Sequence, residues 1–166
     1  LRGFTRWTEH VAPEIALNML NDKLGIAAEA IMANHGIVDK YMGDAVMGIF
    51  NVPQPDADHA IHAVQAGWQL IEALKGDTDL QFSVGIHTGT AVAGNIGTAQ
   101  MMNYTVIGDA VNQAKRLQEM AQRGQILISE EMGALLPEHV KLNEVGQVVL
   151  KGRSQETSLF EITAVG

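Results

Sequence analysis

Between Ile37 and Phe50 the chain reads Ile-Val-Asp-Lys-Tyr-Met-Gly-Asp-Ala-Val-Met-Gly-Ile-Phe. These are two short apolar strands, about Gly36–Tyr41 and Ala45–Phe50, with room between them for nothing but a tight turn. Gly43 can take the backbone angles of the bend, and the β-branched runs on either side favour strand. The turn carries one carboxylate, Asp44. On the tip of a rigid hairpin it could hold a metal ion, although residue type alone favours an ordinary solvated turn residue. What reverses that reading is the rest of the chain.

The rest of the chain arranges itself around this hairpin. From about Ala12 to Met32, Leu17, Leu20, Leu24, Ala27 and Ile31 recur at helical spacing. After the hairpin, Asn51-Val52-Pro53-Gln54-Pro55 breaks the pattern. Asp56 or Asp58 can then cap a helix running to about Lys75, with Ile61, Val64, Trp68, Ile71 and Leu74 buried. Leu80 to His87 reads as a strand, followed by a glycine-rich loop through Gly97 and a strand from Met101 to Ile107. Asp109 caps a helix to about Gln122, Ile126-Leu127-Ile128 is a short buried strand, and Ser129 opens a short helix. From Val140 onward the chain alternates like closing strands, including Val148-Val149-Leu150 and Ser158 to Ile162.

This order, helix-strand-strand-helix-strand, fits a ferredoxin-like βαββαβ unit whose opening strand is missing. The expected fold is therefore α+β, a ferredoxin-like sheet with helices on one face and extra C-terminal strands. Residues 1–166 are expected to be one N-terminally truncated domain. At 166 residues and 46% hydrophobic, the chain can build one sizeable core.

Composition excludes several functions. A net charge of −8 leaves no cationic stripe for a nucleic-acid backbone, although two or three clustered cations would suffice for a triphosphate. There is no cysteine, hence no disulfide framework and no thiolate metal site, which is compatible with a reducing cytoplasm. No apolar run approaches the roughly 20 residues of a membrane span. The six histidines lack metal-ligand spacing, and no Gly-x-Ser-x-Gly elbow is present. The glycines from Gly85 to Gly97 match neither the dinucleotide fingerprint nor the Walker pattern, and His87 reads as a structural strand-end residue.

In the helix from Asp109, Ala110, Ala114, Leu117 and Ala121 fall on one side and make the core face. Asn112 and Arg116 lie four apart on another side, close to each other. An amide and a guanidinium presented together suit an oxyanion or a phosphoryl group. A solvated helix face would look the same.

Four motifs together resemble the class III nucleotidyl cyclases: Leu-Arg-Gly-Phe-Thr at the start, Lys40-Tyr41-Met42-Gly43-Asp44, Tyr104-Thr105-Val106-Ile107-Gly108-Asp109-Ala110-Val111-Asn112 with Arg116, and Val149-Leu150-Lys151-Gly152-Arg153. Each is weak alone, but they occur in order along essentially the whole chain. The resemblance implies that Asp44 is one of two metal-binding aspartates, for two Mg²⁺ or Mn²⁺ ions per site. It implies that Lys40 and Thr105 read the base, with Lys40 favouring adenine over guanine, and that Gly3, Phe4 and Thr5 contact substrate. Asn112 would orient the ribose, Arg116 would stabilise the reacting phosphorus, and Lys151 would bind the triphosphate. The first metal aspartate would fall immediately before Leu1, so residues 1–166 by themselves are expected to have little activity.

The implied function is conversion of ATP to cyclic AMP and pyrophosphate by a cytoplasmic homodimer with shared active sites. Asp44 of one protomer would face Lys40, Thr105, Asn112, Arg116 and Lys151 of the other, and an upstream regulatory domain is expected. A guanylyl cyclase of the same class and a non-catalytic dimerisation or nucleotide-sensing module are the alternatives. A diguanylate cyclase is disfavoured because its Gly-Gly-Asp/Glu-Glu-Phe signature is missing.

Overall fold

The structure, a computed structural model, describes residues 1–77, 79–149 and 156–166, with the side chains of Val148 and Val149 excepted. The elements run α1 (Phe4–Thr8), α2 (Pro13–Ala33), β1 (Ile37–Met42), β2 (Ala45–Ile49), α3 (His59–Ala73), β3 (Val84–Ile86), β4 (Val92–Thr98), β5 (Met101–Ile107), α4 (Asp109–Met120), β6 (Ile126–Ser129), α5 (Glu130–Gly133), β7 (Lys141–Val149) and β8 (Glu156–Ala164). The fold is α+β and ferredoxin-like, as expected.

A four-stranded sheet forms in the order β3-β6-β8-β7, with β3 parallel to β6 and the other pairs antiparallel. Two antiparallel hairpins stand beside it, β1–β2 and β4–β5. Leu1 and Arg2 run between the first hairpin and the approach to β3. The Leu1 amino group donates to the Asp44 carbonyl at 2.8 Å, and the Arg2 amide donates to the Gln81 carbonyl at 2.9 Å. Among the described residues no strand lies between β2 and β3, where the opening strand of the unit belongs.

β6 shows how the layers are arranged. All of its residues are buried, because helices cover both of its faces. Ile126 and Ile128 pack with Ala60, Ala63 and Val64 of α3, whereas Leu127 between them packs with Leu117 of α4 and Ala121. Since successive strand residues face opposite ways, α3 and α4 sit on opposite sides of the sheet. Helices on one face therefore describes α3 and its neighbour α2, which meet through Leu24, Ala27, Ala30 and Leu70, but not α4. α4 lies very close to β3. A Cβ on Gly85 would come 2.2 Å from the Gln118 amide nitrogen and 2.4 Å from the Ala114 carbonyl oxygen. Only glycine allows this approach.

Several local expectations are corrected. The stretch from Leu80 to His87 pairs as a strand only over Val84–Ile86. Much of the expected glycine-rich loop is β4, which pairs residue for residue with β5 from Val92↔Ile107 to Thr98↔Met101. Phe4–Thr8 forms a short helix. Gly108, not Asp109, is the N-cap of α4, and the Asp109 carboxylate instead accepts from Gln113 at 3.0 Å. Ser129 does cap α5, its hydroxyl accepting from the Met132 amide at 3.3 Å. That hydroxyl also lies 2.7 Å from His87 Nδ1, which fits the structural role read for this histidine. Among the described residues no helix is long and apolar enough to cross a membrane.

Candidate active site

The first hairpin places Asp44 in its two-residue turn beside Gly43, whose φ of +64° is the left-handed angle the sequence calls for at this bend. The Asp44 carboxylate makes no hydrogen bond or ion pair among the described residues. As a ligand it could offer one hard oxygen-donor group, and no group of three or more His, Cys, Asp or Glu residues that could hold a metal is found among the described residues. That fits Mg²⁺ or Mn²⁺ held by one or two carboxylates together with substrate phosphates, and does not suit a closed protein cage.

Lys40 and Thr105, far apart in sequence, meet at one carboxylate. β1 is bulged between Val38 and Lys40, so Asp39 has no partner across the hairpin. Its side chain is fully buried. The Thr105 hydroxyl donates to Asp39 Oδ2 at 2.8 Å, and Lys40 Nζ lies 3.2 Å from the same oxygen. Thr105 is buried on β5, while the Lys40 side chain is 45% exposed and free to reach outward. Asp39 Oδ1 is buried with no hydrogen-bond partner among the described residues. The sequence reading did not single out Asp39. The available signal was an acid inside an otherwise apolar strand, next to the lysine that the motif made conspicuous.

Two residues beyond the end of β5, α4 begins. Asn112 is exposed and Arg116 half-buried, about 6 Å further along the axis. Arg116 Nη1 is buried and has no hydrogen-bond partner among the described residues. A shielded guanidinium nitrogen with no partner among the described residues can donate to an anion. The C-terminal end of α4 is fixed by Arg2. Its Nη2 donates to the carbonyls of Gln118, Glu119 and Ala121 at 2.8, 2.6 and 2.6 Å, and its Nε to Ser83 Oγ at 2.9 Å. A cation on the last carbonyls of a helix is favoured by the helix dipole. Arg2 therefore ties α4 to Gly3, Phe4 and Thr5, which open α1. Lys151 lies outside the described residues.

Within one protomer the site falls into two groups. Lys40, Asp39 and Thr105 are joined directly, with Asn112 and Arg116 following on α4. No hydrogen bond or ion pair among the described residues links Asp44 to any of these.

Residues 1–163 match the adenylate and guanylate cyclase catalytic domain, and the chain belongs to that family. It is 32% identical over 173 residues to adenylate cyclase 1 of Rhizobium meliloti (strain 1021), covering 98% of this chain and 26% of that protein. The chain thus spans about a quarter of that relative's length. Among solved structures, the adenylyl cyclase CyaB from P. aeruginosa superposes with a TM-score of 0.91 at 31% identity, covering 99% of this chain and 90% of that one. The guanylyl cyclase Cya2 superposes with a TM-score of 0.93 at 32% identity, covering 100% and 89%.

Proposed function

We propose that this domain is the catalytic part of an adenylyl cyclase, converting ATP to 3′,5′-cyclic AMP and pyrophosphate at two equivalent sites of a homodimer. The observation that carries the reading is Arg116 Nη1, buried on α4 with no hydrogen-bond partner among the described residues and four residues after Asn112, in a chain belonging to the cyclase family. In the reaction the 3′-oxygen of the ribose bonds to the α-phosphorus. The bond from that phosphorus to the oxygen bridging to the β-phosphorus breaks. Pyrophosphate leaves and the hydroxyl proton passes to solvent.

Each residue has a task in that step. Arg116 donates to the α-phosphoryl oxygens, where charge builds as the phosphorus becomes five-coordinate. Asn112 holds the ribose so that its 3′-oxygen faces the phosphorus. Lys40 and Thr105 engage the purine, Gly3, Phe4 and Thr5 contact the polyphosphate, and Lys151 binds the triphosphate. Asp44 of the partner subunit would hold divalent metal. Two Mg²⁺ or Mn²⁺ ions, when bound, supply activation of the hydroxyl and neutralisation of the leaving group. A cytoplasmic setting supplies the substrate, and the short span against the Rhizobium relative fits a longer protein with a regulatory part.

Conversion of GTP to cyclic GMP is the second reading, because Cya2 matches as closely as CyaB does. Lys40 weighs toward ATP. The test is to give the protein, as its gene encodes it, ATP and GTP separately with Mn²⁺ and to assay cyclic nucleotide by chromatography. Cyclic AMP that disappears in Asp44→Ala is the expected result. No cyclic product from either nucleotide overturns the reading.

A further inference from the structure

Asp39 has no assigned part in the reaction, yet its buried carboxylate is where the two expected base-reading residues meet. We propose that Asp39 is a positioning residue that sets the hydrogen-bond polarity of the purine site and thereby its preference for adenine over guanine; this rests on the cyclase reading above. A threonine hydroxyl has one hydrogen and two lone pairs, and by itself it can present either to a ligand. Here the hydrogen is committed. Thr105 Oγ1 donates it to Asp39 Oδ2 at 2.8 Å, so the hydroxyl has only its lone pairs left to offer. Lys40, 3.2 Å from the same oxygen, has only donors.

The site therefore offers an acceptor and a donor from neighbouring positions. An adenine edge presents the complement, an amino donor at C6 beside the N1 acceptor. A guanine edge presents the reverse, the O6 acceptor beside an N1–H donor. Against guanine, the locked hydroxyl would meet O6 lone pair to lone pair. A buried polar group left unmatched in this way rejects the wrong ligand far more strongly than a missing apolar contact does. The arrangement depends on the β1 bulge at Asp39. In regular alternation Asp39 and Lys40 would point to opposite faces, whereas bulges re-aim side chains. Asp39 Oδ1, buried with no hydrogen-bond partner among the described residues, is a further acceptor within this unit.

The test compares Asp39→Asn with wild type in the protein as its gene encodes it. It reads kcat and KM for ATP and for GTP, and equilibrium binding of α,β-methylene-ATP and α,β-methylene-GTP. An asparagine amide can donate to Thr105, which frees the hydroxyl hydrogen for O6. The expected result is a fall of about tenfold or more in the ATP-to-GTP ratio of kcat/KM, carried mainly by KM and matched in binding. Asp39→Glu should restore part of the preference. In Thr105→Val there is no hydroxyl to orient, so adding Asp39→Asn should leave the ratio where Thr105→Val alone puts it.

Equal losses toward both nucleotides in Asp39→Asn, with the ratio unchanged, overturn this proposal and leave the cyclase reading intact. Wild type that binds neither analogue and makes neither product overturns the cyclase reading itself. Should Asp39→Asn fail to fold, Thr105→Val with Asp39 intact tests the same hydroxyl, and an unchanged ratio there overturns the proposal.

Discussion

Arg116 keeps one guanidinium nitrogen out of water with no hydrogen-bond partner among the described residues, and a buried donor left unmet costs stability when no ligand is bound. Its removal should therefore act on activity and stability in opposite senses. Arg116→Ala is expected to lower kcat by about 10²–10³ while leaving the thermal midpoint unchanged or higher. Steady-state kinetics and calorimetry on the same preparation check both, and a midpoint lowered by several degrees would assign Arg116 a structural role instead. At this scale the sequence was legible wherever regular periodicity carried the information. Asn112 and Arg116 could be paired because four residues bring neighbours together on a helix. Asp39 could not be placed, because an acid beside a lysine in a strand reads as solvated charge. What buries it is a bulge that neither propensity nor alternation announces.

Among the elements, α2 is tied to the turn after α3 by an ion pair between the buried Lys23 ammonium and Asp77. The backbone N–H of Leu80 and then Lys23 itself hold the Asp77 carboxyl at about 2, below its ordinary 3.8. Because the folded-state value is the lower one, this contribution to stability is complete above about pH 4 and is lost as pH falls toward 2. Asp77→Asn should lack that part of the acid limb in thermal melts taken from pH 7 to 2.5. At neutral pH it should be less stable by on the order of 1–3 kcal/mol, since Lys23 is left without its counter-charge. Wild-type and variant curves that stay parallel throughout would show that Asp77 does not titrate with folding. Most elements were readable from spacing and punctuation. β4 was not, because Val-Ala-Gly-Asn-Ile-Gly-Thr has two glycines and weak strand preference. It is a strand because β5 pairs with it over its whole length. The position of α4 across the sheet is likewise settled by packing, with Gly85 the one residue whose necessity shows only when α4 is seen against it.

The whole molecule leaves an apolar arm in the open. On the β4–β5 hairpin Val92, Met101 and Met102 are 67%, 72% and 59% exposed, with Ile96, Tyr104 and Ile107 beside them. A patch of this kind on one protomer is suited to burial against another. No hydrogen bond or ion pair among the described residues links Asp44 to Arg116, and under the proposed function a two-fold dimer would supply each site with Asp44 from one subunit and Arg116 from the other. Asp44→Ala and Arg116→Ala homodimers should then both be inactive for different reasons. In a mixed dimer, one site inherits both defects and the other inherits neither. If subunits exchange freely at equal concentrations, half the dimers are mixed and each has one intact site. Cyclic AMP synthesis should therefore return to about a quarter of the wild-type rate, given two equivalent sites. Sedimentation should show the dimer throughout, and Met101→Asp, which puts a charge on the arm, should abolish both the dimer and the recovered activity. Two inactive variants that stay inactive after proven exchange would place Asp44 and Arg116 in the same protomer's site and remove the reason for sharing.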